Sequence, residues 1–243
     1  MTDAEGGPPA DPGALPRLRE LLPRPRALIA SLDRTQFLAG LALGLAATAR
    51  LPVLLGFPFL MLVGRGGFVG RTVSAGLGTA IPVAGLVLYN LVTTAHLFHP
   101  AYEYLYQLEA YGYPHLNYNP EWSIEDVRYI PQNLALMLGG LPTILPECSP
   151  TAVRGLFDAD CPFVVPRDVG TSLILTSPAY LLAIPAVRAF ARDRLVAGAL
   201  IAVVAIAVLN LMHFSQGWVQ FGYRFSNDFA PFALLLVVLG IVR

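Results

Sequence analysis

The 243-residue sequence contains no lysine: all 16 of its basic residues are arginine, the usage expected of a GC-rich bacterial gene. Charge of either sign is scarce, at 13% of residues, and 16 acids balance the 16 arginines. No nucleic-acid partner is expected. The first 36 residues are polar, proline-rich and arginine-bearing, with no apolar core of the kind a cleavable signal peptide requires; residues 1–36 read as a cytoplasmic tail. With only two cysteines, one intramolecular disulfide is the most the chain can form. Internal repeats and mid-span polar residues, the marks of a transporter, are not evident: Asn90 and Asn210 each lie near the end of an apolar run.

What fills the space is apolar. Hydrophobic residues make up 55% of the chain and the mean hydropathy is +0.59, a membrane protein's balance. Residues 73–98, 169–187, 195–214 and 229–243 approach the roughly 20 apolar residues needed to cross a hydrocarbon core about 30 Å thick. Residues 37–63 read as two short helices meeting near Arg50 and Pro52, because a single span would leave Arg50 near the bilayer centre at a cost of about 2.5 to 3.5 kcal/mol. The fold expected is all-α: a polytopic integral membrane helix bundle over residues 37–243, with about six membrane-inserted helices and a helical extracytoplasmic loop region.

Arginine placement orients this bundle, since short cytoplasmic loops collect basic residues. The tail, the loop around Arg65 and Arg71, and the loop of Arg188, Arg192 and Arg194 should share the inside face. Residues 96–168 hold nine acids against three arginines and should lie outside. The location expected is the cell membrane, multi-pass, with a cytoplasmic N-terminus. Seven of ten tyrosines fall between Tyr102 and Tyr129, as an interfacial belt or as a sugar- or lipid-binding surface. Ser123 can cap a surface helix that continues past Pro131 into a short apolar helix over residues 134–145. Cys148 and Cys161 fall in the same outer loop, where an oxidising environment favours a disulfide; the alternative is two unpaired thiols against the bilayer. The run "GRGGFVGR", residues 64–71, is glycine-rich, but no strand precedes it, so it reads as a flexible positive-inside loop rather than a phosphate cradle.

Five segments, in order, resemble the C-terminal half of the GT-C glycosyltransferase superfamily, multi-span enzymes that take sugars from polyprenyl-phosphate donors. They are "LAGLALGLAATARLP" (38–52), "LVLYNLVTTAHLFHPAYEY" (86–104), "SIEDVRYIPQNLALMLGGLP" (123–142), "VGTSLILTSPAYLLAIPA" (169–186) and "GWVQFGYRFSNDFAPFALLL" (217–236). The resemblance implies transfer of a sugar from a polyprenyl-phosphate donor on the outer face. It also implies a difference: the catalytic carboxylate of such enzymes sits in a first outer loop within an N-terminal half to which nothing here corresponds. The chain is therefore expected to be a fragment or degenerate relative, with a further polypeptide as a possible source of the missing half. The competing class is a noncatalytic assembly partner or transport component.

No catalytic residue stands out. His96, His99 and Glu103 could share a helical face toward a metal, but Pro100 interrupts that face, and neither a metal nor another cofactor is expected. The candidates are Arg50, Arg224 and Asp228, which the topology puts at the outer interface with a lipid phosphate or pyrophosphate; arginine's planar fork suits phosphate oxygens. The plainer readings are an i, i+4 ion pair for Arg224 and Asp228 and snorkelling to the head groups for Arg50.

Overall fold

The computed structural model describes residues 32–100, 122–148, 154–155, 161–167, 169–215 and 220–243. The tyrosine-rich stretch between residues 101 and 121, and Glu103 with it, lies outside the described residues.

Helix α1, Arg34–Ala49, opens where Asp33 accepts hydrogen bonds from the backbone N–H groups of Thr35 and Gln36, at 2.7 and 3.3 Å. It stops at Arg50, whose backbone is extended (φ −146°, ψ 98°). A 3-10 turn over Leu51–Gly56 and α2, Phe57–Leu62, follow, each with a proline in its first turn. The two-helix reading of residues 37–63 matches this path. Gly64, at φ 126°, turns the chain, and a side chain there would strike Gln36. Helix α3 then runs from Phe68 to Thr94.

Helices α1 and α3 meet along small residues. A Cβ built on Gly40 would stand 2.0 Å from the Ala75 carbonyl oxygen, and one on Gly78 would stand 2.1 Å from that of Phe37. Only glycine allows that approach, and it lets the Thr79 hydroxyl donate to the Gly40 carbonyl across the interface at 3.0 Å. Close backbone contact through small residues is how helices associate where no water drives them together.

The outer segment departs from expectation. Asp126, not Ser123, caps the local turn: it accepts from Arg128 N at 2.9 Å ahead of a 3-10 turn over Val127–Tyr129. Pro131 begins α4, Ile130–Gly139, rather than interrupting a helix. The apolar run beyond Gly140 is not helical; it forms strand β1, Thr143–Ile144, antiparallel to β2, Val164–Val165. Cys148 and Cys161 are joined by a disulfide beside this pair of strands, their Cα atoms 5.6 Å apart. Arg154 ties the two flanks by donating to the Pro146 and Pro162 carbonyls at 3.1 and 3.0 Å.

Residues 169–187 are not one span. Ser177, Pro178 and Pro185 divide them into α5, Leu173–Thr176, a 3-10 turn, Pro178–Ala183, and α6, Ile184–Val187. Helix α7, Arg194–Leu211, is capped by Asp193, whose carboxylate accepts from Leu195 N at 2.8 Å; that hydrogen bond holds the carboxyl below its usual range. A 3-10 turn over Arg224–Asp228 leads into α8, Ala230–Ile241.

These elements correct the expected bundle of about six membrane-inserted helices. Among the described residues only α3 and α7 are long and apolar enough to cross a membrane. The other apolar runs are divided by proline; α8, at 12 residues, is about 18 Å long, short of a hydrocarbon core of about 30 Å. The two strands, in turn, correct the all-α expectation for the outer segment. Two apolar clusters hold the helices together. One gathers Met137, Leu173, Ile206, Leu211, Tyr223, Phe225 and Phe229. The other sets Ala186, Val196, Ala199 and Leu236 beside Phe59 and Phe232, whose rings meet edge to face at 5.3 Å.

Candidate functional site

The breaks in the helices deliver the site. Arg50 is extended because α1 has ended and the proline-led turn has not begun, so its side chain is free to leave the helix axis. It reaches Asp228, 178 positions later, in a bidentate pair: Nε lies 3.0 Å from Oδ1 and Nη2 lies 2.8 Å from Oδ2. The Asp228 side chain is only 5% exposed, whereas that of Arg50 is 43% exposed. Asn210, at the end of α7, completes the carboxylate's shell. Its Nδ2 donates to Asp228 Oδ2 and to the Phe225 carbonyl, both at 3.0 Å, which uses both amide hydrogens.

Arg224 and Asp228 do not pair. The 3-10 geometry of Arg224–Asp228 places residues four apart differently from an α-helix, and Asp228 turns inward to Arg50. Arg224 stays exposed; its backbone N–H donates to Gln220 Oε1 at 3.1 Å. Gln220 in turn donates to the Val169 carbonyl at 2.9 Å, and Thr171 N donates to the Phe221 carbonyl at 3.1 Å. The segment after β2 thereby braces the segment that carries Arg224.

Phe225 unites the charges. The Arg50 guanidinium carbon lies 5.1 Å from its ring centroid and that of Arg224 lies 5.6 Å from it, both within cation–π range. The two guanidinium groups can therefore be no farther apart than those two distances together, a gap that one phosphate or pyrophosphate group can bridge. Arg50 has two of its five N–H donors on Asp228, leaving three outward. One carboxylate against two guanidinium groups leaves the cluster net positive.

Two acids or bases that transfer chemistry might draw on are already committed. Asp228 is buried with both oxygens engaged, so it orients Arg50 rather than abstracting a proton. Burial, aided by the negative charge of Asp228, pushes the Tyr223 phenol above its ordinary range, so it stays neutral.

A second polar pair borders the cluster. His213 Nδ1 lies 2.9 Å from Glu125 Oε1, and the His213 ring meets Phe225 edge to face at 5.6 Å. Asp126 N to Met212 O, at 2.8 Å, and Phe214 N to Ile124 O, at 2.9 Å, lock the two backbones together. Asn133 Nδ2 secures the turn by donating to the Leu211 and His213 carbonyls, each at 2.8 Å.

Of the three residues singled out by sequence, Arg50 and Asp228 form one ion pair, and Arg224 joins them through Phe225. Asn210, Phe225, Glu125 and His213 were not foreseen as site residues. The available signal was Asn210, a lone amide at the end of an 18-residue apolar helix; such a group needs a partner when buried. His96 Nδ1 lies 2.6 Å from the Thr94 carbonyl, an engagement unrelated to a metal. Arg71, expected in a flexible loop, is instead a buried residue of α3 that donates to the Met61 and Gly66 carbonyls at 3.2 and 2.6 Å. Comparison of the chain with family models, curated proteins and solved structures finds no match.

Proposed function

We propose that this chain serves a membrane glycosyltransferase reaction of the GT-C type by holding the phosphate of a polyprenyl-phosphate donor between Arg50 and Arg224. The observation that carries the reading is the pair of guanidinium groups on Phe225, one of them anchored by a buried carboxylate and half open to its surroundings. Anchoring matters because a preorganised fork loses less freedom when it binds phosphate oxygens. Asp228 and Asn210 are positioning residues in this scheme.

A lipid setting is supported by the exposure of the long helices. The apolar windows of α3 and α7 are only 22% and 39% buried, unlike the core helix of a water-soluble protein. Leu77, Ile81, Leu88 and Val92 of α3 are all exposed, a surface suited to acyl chains or to an apolar partner. With the arginine-rich loops inside, the Arg50 end faces outward. The general base that transfer requires is then supplied by residues outside those described or by a second polypeptide.

The test is binding of a polyprenyl phosphate to the purified protein in nanodiscs. Arg224→Ala should weaken binding about tenfold, the loss of one charge-assisted contact, with the fold retained. Unchanged affinity would reduce Arg224 to a surface residue. A cysteine introduced at Ser123 should react with a membrane-impermeant reagent in intact cells while one at Thr72 is spared; the reverse would place the site on the other face.

A further inference from the structure

We propose that His213 is a proton-dependent third ligand of the headgroup phosphate, donating from Nε2 while Glu125 holds Nδ1; this rests on the phosphate reading above. A carboxylate only accepts hydrogen bonds, so the 2.9 Å contact with Glu125 assigns the hydrogen to Nδ1. Neutral His213 therefore presents a lone pair at Nε2, which repels a phosphate oxygen. The imidazolium presents an N–H there, which binds one. Nε2 has no partner among the described residues, and the side chain is 22% exposed, so a ligand can reach it.

Placement makes the switch relevant to the site. The imidazole packs on the same Phe225 ring that carries Arg50 and Arg224. Its position is set by the paired backbones at Asp126–Met212 and Ile124–Phe214 and by Asn133 beneath, so it cannot drift away on changing charge. The charged and titratable groups around it are Glu125 in direct contact, Arg50 and Arg224 across Phe225, Asp228 behind Arg50, Tyr223 against Phe225, and the Asp126–Arg128 pair on the neighbouring strand-like segment. Imidazole is the side chain whose charge ordinarily changes between pH 5 and 8, while carboxylates and guanidinium groups ordinarily keep theirs. Phosphate binding should therefore strengthen as pH falls across that interval.

The experiment uses the full chain in nanodiscs and dodecyl methyl phosphate, a phosphodiester whose single charge is constant across the range. Wild type should bind about tenfold more tightly at pH 5.5 than at pH 8. His213→Phe, which keeps a ring on Phe225 but carries no proton, should bind equally at both. If that variant does not fold, the imidazole is followed by 15N NMR in a chain whose other histidines are replaced (His96→Gln, His99→Gln, His115→Gln). Addition of probe at pH 5.5 should then shift the Nε2 resonance. A flat wild-type profile, a pH response that survives in His213→Phe, or an unmoved Nε2 resonance overturns the role of His213. No binding by wild type at either pH overturns the phosphate reading itself.

Discussion

At one end of the helices the Arg71 guanidinium is buried against the carbonyls of Met61 and Gly66. At the other end Arg50 meets a carboxylate and keeps 43% of its side chain exposed. Both arginines follow a break in the chain, yet their partners differ in kind. The carbonyls are neutral and lie within ten residues of Arg71, so that guanidinium caps the C-terminus of α2 and orders the glycine-rich turn. Asp228 is charged and lies 178 residues from Arg50, so that pair joins the first helix of the bundle to the last and still leaves donors facing outward. An arginine enclosed by local carbonyls is architecture. An arginine steadied by one buried carboxylate, with a second arginine on the same ring, is a place for an anion.

Substitution can break this contrast in graded steps. Arg50→Ala should have the largest effect, about 3 kcal/mol of stability, because it leaves the buried Asp228 with only Asn210; loss of polyprenyl-phosphate binding should accompany it. Denaturant titration in detergent, with binding measured on the folded fraction, checks both. Arg71→Ala should cost about 2 kcal/mol through unsatisfied carbonyls and leave phosphate affinity unaltered; a loss of affinity comparable to that of Arg50→Ala would erase the distinction between the ends. Arg224→Ala should change stability by under about 0.5 kcal/mol, as for an exposed residue, while weakening binding.

The smallest effect concerns pH. Hydrogen bonds from the Arg128 side chain and backbone lower the Asp126 pKa from 3.8 to about 2. Because the folded value is the lower one, the stabilisation is present above pH 3.8 and is lost as pH falls toward 2. Hydrogen exchange over residues 126–133 should accelerate in that window and not in Asp126→Asn, whose exchange should already be fast at neutral pH.

Much of the local structure was legible. Arg50 and Pro52 announced a break, and a bilayer-scale apolar run announced α7, since both depend on neighbouring residues. Residues 169–187 misled because hydropathy averages over Ser177, Pro178 and Pro185, while the backbone responds to each proline separately. The stretch after Gly140 misled in the same way: an apolar run of that length does not distinguish strand from helix, and pairing with Val164 and Val165 selected strand.

The sequence by itself determined where helices could start and stop, which runs were apolar, and which residue types were available to bind an anion. Those properties are set within a few positions along the chain by propensity, capping and hydropathy. Only the tertiary structure decided that Asp228 turns to Arg50 rather than Arg224, that Asn210 completes its shell, and that Phe225 gathers Arg50, Arg224 and His213. The reason is physical: a carboxylate leaving solvent must find donors wherever the fold brings them within hydrogen-bonding distance. Here the packing of α1, α7 and α8 supplied them from parts of the chain that are remote in sequence.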